Sequence, residues 1–372
     1  MRLKPDFQHC LSKNLRKPKT MSKRERGILL ILSGLVILIV VLVVLRFAGP
    51  QAGPATDSNT SAEIVVQPTL PPDVTAEPTS TGFIPNDPLF GRQWYLPAIG
   101  APQAWETIPA DRAQVVVAVV DSGICANHPE LAGRIVQGID LVNETSYRAL
   151  VGGNPVTDRP MPADDRIPTL EDAHDHGCAM ASVIAANTNN AAGIAGIAPN
   201  AVIMPVKVVD GMGTGTVENA AAGIRYAVDN GADIINLSLV LNPGPTDAEV
   251  EAITAAVRYA QEHNVPIVAA AGDRDGGPAA LPAALDGVIA VGSLGPDMLP
   301  DPRSAAEGID VWAPGEEIVS VSIFGNLGEP PYKEFGGSSI AAAVVSGVLA
   351  ATGQIPIQEV NGLPILRMNA AS

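Results

Sequence analysis

The sequence predicts an α/β domain: a mainly parallel sheet with helices on both faces, in three layers, preceded by one transmembrane helix. Three observations carry this. Apolar, β-branched runs at 115–120, 202–209, 234–240, 265–270 and 288–292 alternate with helical patterns near 176–186, 216–230 and 247–263. The runs are apolar at nearly every position, as strands buried on both faces are. Residues 27–45 carry no charge at all.

The elements follow in order. Residues 1–26 form a basic tail with nine Lys/Arg and two Asp/Glu. The formal net charge of −16 thus splits into +7 over this tail and −23 over the rest. So acidic a body argues against a nucleic-acid partner, because phosphate binding needs Lys and Arg. Residues 27–47 read as a signal-anchor helix, since 19 uncharged residues at helical rise span roughly 28 Å, close to the hydrocarbon thickness of a bilayer. The basic flank precedes it, which places the N-terminus in the cytoplasm and the following domain outside. A cleaved signal peptide is the rival, given the small Ala48, Gly49 and Ala52, although its apolar core is usually shorter. Residues 48–84, rich in Pro, Thr and Ser, read as a spacer. Residues 85–372 are the folded domain, opening on the aromatic-containing stretch 86–106. No internal repeat is visible. Of the three cysteines, Cys10 lies on the far side of the expected anchor. Cys125 and Cys178 pair only if the fold brings them together, and are expected as two unpaired small core residues.

Three stretches carry chemistry, in the chain order Asp, His, Ser: "VVVAVVDSG" ending at Gly123, "HGCAMASVIAA" from His176, and "GGSSIAAAVVSGVLA" from Gly336. They supply what a Ser-His-Asp triad needs: a nucleophile, a proton carrier and a carboxylate that orients it. Asp121 directly follows the run 115–120, and active sites of open α/β sheets gather outside the carboxyl ends of the strands. Taken singly, the stretches also read as a turn-forming Asp-Ser-Gly, a weak His174–His176 metal pair and a small-residue packing helix.

With the further landmarks "NDP", "NHPEL", "TNNAAGIAGIAP", "VKVVDGMGTGT" and "WAPG", residues 86–350 resemble the catalytic domain of the subtilases, the subtilisin-like serine peptidases, in the pattern of their thermitase-like members. The resemblance implies a subtilisin-like fold with Asp121 as triad carboxylate, His176 as general base and Ser339 as nucleophile, Ser338 standing where the family has threonine. It places an extended substrate between the segment Gly213, Thr214, Gly215 and the strand end Ser238, Leu239, Val240, with Ala270 and Gly272 nearby. It also implies a structural Ca²⁺ held by Asp87, Glu130 and Asn190 with loop carbonyls, an oxygen-only set suited to that ion.

Several positions depart from the family pattern. Asp273 occupies the oxyanion-hole position of an asparagine, and an ionised carboxylate cannot donate there. A neutral acid, which burial favours, would lessen that penalty. Val240 replaces a glycine on the wall of the primary specificity pocket and is expected to narrow it. Glu130 replaces an aspartate, Cys178 a threonine, and Ala343-Val344 a Pro-His pair. The spacer 48–84 leaves no room for the folding prodomain that many secreted members carry. The expectation is a monomeric, single-pass membrane peptidase, its catalytic domain extracytoplasmic, that cleaves peptides or proteins through an acyl-enzyme on Ser339. The alternative is a catalytically silent relative that binds peptides or a partner.

Overall fold

The computed structural model describes residues 82–109, 112–142, 170–324 and 331–368. The chain divides into two units, Met1–Thr75 and Ala76–Ser372, and every described residue belongs to the second. The basic tail, the helix expected over 27–47 and most of the spacer lie outside the described residues. Among the described residues no helix is long and apolar enough to cross a membrane.

The Val- and Ile-rich runs form strands as expected. They are β1 (Val115–Asp121), β2 (Ile139–Asp140), β3 (Ala201–Lys207), β4 (Ile234–Leu237), β5 (Ile267–Ala270), β6 (Val288–Leu294) and β7 (Val311–Pro314). Later strands are β8 (Ile318–Val321), β9 (Tyr332–Phe335), β10 (Ile357–Val360) and β11 (Leu363–Leu366). Nine of them make one sheet in the order β10-β11-β7-β6-β5-β4-β1-β3-β2, and β8 and β9 pair separately. Every pairing in the large sheet is parallel except the β10–β11 hairpin. The chain leaves β1 towards β3 on one side and resumes at β4 on the other. That reversal opens a crevice at the carboxyl ends of β1 and β4, where open α/β sheets bind ligands.

Short helices α1 (Tyr95–Ile99) and α2 (Ala101–Thr107) precede β1. Helix α3 (His176–Ala185) and, later in the chain, α6 (Ser338–Thr352) pack together on one face. Helices α4 (Val217–Asp229) and α5 (Asp247–Glu262) cover the other, in a separate apolar cluster. The three expected layers are thus present. The two pairs differ because their sequences differ. Helices α4 and α5 bury one stripe and begin at side-chain caps: Thr216 Oγ accepts from Asn219 N–H, and Thr246 with Glu249 forms a capping box. Helices α3 and α6 are runs of Ala, Val, Gly and Ser, buried almost all round, and small side chains let them lie close to the sheet.

One close approach matters for the site. A Cβ on Gly177 would fall 2.2 Å from Gly123 O, so only glycine lets the first turn of α3 rest against the loop after β1. The same approach overturns the expectation that Cys125 and Cys178 are unpaired. The structure joins them in a disulfide, with Cα atoms 5.4 Å apart and 53 residues of sequence separation.

Candidate active site

Asp121 is the last residue of β1 and is buried; His176 is the first of α3 and half-buried. The His176 Nδ1 atom lies 2.8 Å from Asp121 Oδ1 and 2.9 Å from Oδ2, so the carboxylate engages Nδ1 and leaves Nε2 to other partners. Asp121 Oδ1 also accepts from the Ser122 N–H at 2.7 Å. Burial pushes His176 towards the neutral ring, but Asp121, followed by Asp172 and Asp175, outweighs it and raises the pKa above the ordinary 6.5.

The turn before His176 is over-determined. Asp175 takes a left-handed φ of 86°, costly for a residue with a Cβ, and its buried carboxylate accepts from Ser322 Oγ and Ile323 N–H at 2.6 Å each. Asp172 accepts from the backbone N–H groups of His174 and Asp175 at 2.9 Å, from Cys178 N–H at 2.8 Å and from Ser122 Oγ at 2.8 Å. Ser122 Oγ in turn accepts from Gly177 N–H at 3.0 Å. Sequence reasoning missed Asp172. The available signal was an acidic residue just ahead of a helix of small residues, where free N–H groups need an acceptor.

Ser339 sits in the first turn of α6, after Gly337 with φ of 117°, a conformation that favours glycine. The neighbouring serine is accounted for: Ser338 is buried and its Oγ accepts from Gly272 N–H at 3.0 Å. Ser339 is the accessible one. Its hydroxyl donates to Ser238 O at 3.2 Å, and among the described residues no hydrogen bond joins it to His176. Ser238 Oγ donates back to Ser339 O at 2.7 Å and accepts from Asn236 Nδ2, whose Oδ1 accepts from Ser346 Oγ. This buried chain ties β4 to two turns of α6 and sets the height of Ser339; Asn236 and Ser346 were not singled out from sequence.

The remaining expected residues follow the carboxyl ends of β3, β4 and β5. Gly213, Thr214 and Gly215 form an exposed edge, folded by Asp210 Oδ1, which accepts from the Met212 and Thr214 N–H groups at 2.9 Å. His174 lies against Gly213, its ring centroid 6.2 Å from that of His176. Ser238 and Leu239 run out of β4 towards Val240, which is 46 % exposed. Across from them, Ala270 ends β5 and Gly272 follows it. A Cβ built on Gly272 would lie 3.4 Å from Val240 Cγ1 and 3.6 Å from Arg274 Nε, so these side chains fill the space above it. Arg274 Nη2 also donates to Leu241 O at 3.2 Å, bridging the two edges. Asp273 is exposed, and its Oδ1 accepts from Ser338 N–H at 3.0 Å. With Oδ1 pinned, Oδ2 points to Gly337, 2.6 Å from where a Cβ would be.

Away from the crevice, Asp87, Glu130 and Asn190 converge. Asp87 accepts from the N–H groups of Asn189 and Asn190 at 2.8 and 3.0 Å. Glu130 is fully buried and accepts from Ile194 N–H, Tyr332 O–H and Asn190 Nδ2, all neutral donors. Among the described residues no group of three or more His, Cys, Asp or Glu comes together as a metal cluster. Two buried neighbouring carboxylates thus lie beside the Asn190 amide, which turns its Nδ2 to Glu130 and accepts from Ala192 N–H on its Oδ1.

Residues 112–361 match the profile of the Subtilase family. The chain is 35% identical over 280 residues to thermitase of Thermoactinomyces vulgaris, an alignment covering 73% of this chain and 87% of that protein. It is 36% identical over 262 residues to the major intracellular serine protease of Bacillus subtilis (strain 168), covering 68% and 73%. It is 34% identical over 280 residues to a thermophilic serine proteinase of Bacillus sp. (strain AK1), covering 74% of this chain and 62% of the relative.

Proposed function

From the premise that this chain belongs to the subtilase family, we propose that it is a serine endopeptidase whose triad is Asp121, His176 and Ser339. The Asp121–His176 couple carries this reading, because a carboxylate on Nδ1 fixes the tautomer that leaves Nε2 free to take a proton. An extended peptide lies between the 213–215 and 238–240 edges, pairing main chain with main chain. Its N–H competes for Ser238 O and frees the Ser339 hydroxyl to turn to His176; such contacts often tighten only with substrate bound. Ser339 Oγ then bonds to the carbonyl carbon and gives its proton to His176. The C–N bond breaks as His176 protonates the departing amine, and water, activated by the same base, hydrolyses the ester. The Ser339 N–H, without a backbone acceptor among the described residues, donates to the oxyanion.

The test is hydrolysis of an unfolded protein by the full chain and its Ser339→Ala variant. The proposal expects cleavage by the first alone; equal cleavage by both, or none by either, refutes it. A silent, peptide-binding relative is the second reading, favoured by the exposed carboxylate of Asp273 at the oxyanion position. Tight peptide binding without turnover at any pH between 5 and 9 would select it.

Val240 narrows the primary pocket. Val240→Gly is expected to raise kcat/KM for peptides with a large apolar residue at the cleaved bond by about 10–100-fold relative to those with a small one, since each methylene is worth about 1–3 kcal/mol of discrimination. Paired peptide substrates check this, and an unchanged ratio removes Val240 from the pocket.

In this proposal Asp87, Glu130 and Asn190 would hold Ca²⁺, whose charge would offset the two buried carboxylates and stabilise the fold. Because an ion bound only by the native state stabilises it by mass action, a chelator is expected to lower the melting temperature, with recovery on added Ca²⁺. No change across a chelator series counts against the site. Residues 27–47 anchor the protein with its catalytic domain outside the cytoplasm; the Cys125–Cys178 disulfide supports an oxidising surrounding.

A further inference from the structure

We infer that the Cys125–Cys178 bridge is a positioning element for the Asp121–His176 couple, holding the carboxylate and the imidazole in register for proton transfer. The inference rests on the proposed peptidase reading. Its basis is where the bridge lies. Cys125 stands four residues after Asp121, in the loop that leaves β1; Cys178 stands two residues after His176, in the first turn of α3. One covalent bond thus joins the two segments that carry the couple. Both cysteines are buried, so neither is placed to serve as a surface thiol.

The noncovalent joints between these segments include the Ile124 N–H to Leu170 O and Asp172 N–H to Ile124 O bonds, the Ser122 and Cys178 contacts to Asp172, the Ser122–Gly177 hydrogen bond and the approach of Gly177 to Gly123. None of these bonds to the His176 ring. The ring itself is held by Asp121 alone among the described residues. Sliding α3 along the loop by a fraction of an ångström would stretch the Ser122–Gly177 bond and the Nδ1–carboxylate contact together. The bridge blocks that slide.

The experiment uses the full chain. Thiols are counted first in denaturant; the bridge predicts one before reduction, Cys10, and three after. A dithiol reductant supplies two electrons and two protons to the S–S bond and closes to its own cyclic disulfide. Next, a fluorophosphonate probe measures the serine. Ser339 Oγ bonds to phosphorus, fluoride leaves, and the proton passes to His176. The double variant Cys125→Ala, Cys178→Ala, and the reduced wild type should both keep their helical circular dichroism at 25 °C yet label about tenfold slower or more, since sub-ångström misplacement of reacting groups is costly. The acid limb of the labelling rate should also move to lower pH by about half a unit, because His176 loses part of its contact with Asp121. His176 faces Asp121 from β1, Asp172 and Asp175 from its own lead-in and His174 beside it; of these, Asp121 lies on the segment that the bridge ties to α3.

A lowered melting temperature with unchanged labelling rate and pH midpoint means that the bridge only stabilises, which overturns the inference. Three thiols before reduction, or loss of the fold on reduction at 25 °C, overturns it too. Absence of labelling in the oxidised wild type at every pH instead overturns the peptidase reading beneath it, while the thiol count still decides whether the bridge exists.

Discussion

Asp273→Asn is expected to raise turnover about 10²–10³-fold at neutral pH, the size of effect known for one asparagine donor in the oxyanion hole of subtilisin. The geometry makes the change nearly isosteric. Asp273 Oδ1 accepts from Ser338 N–H, a bond an asparagine carbonyl keeps unaltered. Only Oδ2 changes, from an acceptor that repels the developing negative charge to an N–H₂ group that donates to it. Because the residue is exposed and the pin is retained, folding stability should move little. The gain should appear in kcat rather than KM, since the interaction is made in the transition state. Steady-state kinetics on a peptide substrate decide it, and an unchanged or lower kcat refutes the oxyanion argument.

The second large effect is a loss. Asp121→Asn should lower kcat by about 10⁴-fold, as the equivalent change does in a well-studied triad, because the ring is no longer held in the tautomer with Nε2 free. It should also shift the pH profile. His176 has a raised pKa in the folded protein, so the neutral base appears only at higher pH than for an ordinary histidine. The acid limb of kcat/KM therefore lies above pH 6.5 in the wild type and falls in the variant. Stability follows the same sign. A raised histidine contributes fully below its unfolded pKa and loses that contribution as pH rises through the folded value. Asp121→Asn should thus cost more in melting temperature at pH 5.5 than at pH 8.5, and a pH-independent cost would contradict the coupling.

Much of this architecture is legible in the chain, and the illegible parts have physical reasons. Strands β1 and β3 to β6 announce themselves because both faces are buried and nearly every position is apolar. The apolar run from 234 passes its strand end at Leu237, because Ser238 turns its hydroxyl to the nucleophile helix instead of continuing the sheet. Strand β2 has two residues, and β9 exposes Lys333 and Glu334, so neither offers a period to read. The positions expected for the triad carboxylate and base do meet, because each closes or opens an element that the pattern reveals. The disulfide was not legible: spacing says nothing about proximity, and the contact depends on Gly123 and Gly177 letting two backbones touch. Asp172, Asn236 and Ser346 were missed for a related reason. Each acts through partners from another element, and polar residues in isolation carry no sign of who those partners are.

Fluorophosphonate labelling of the full chain, followed by mapping of the modified residue, decides whether Ser339 is a nucleophile activated by His176. An adduct on Ser339 that vanishes in His176→Ala and strengthens as pH rises through the histidine range is the predicted result. An adduct on Ser338, or labelling that ignores His176, would contradict the account.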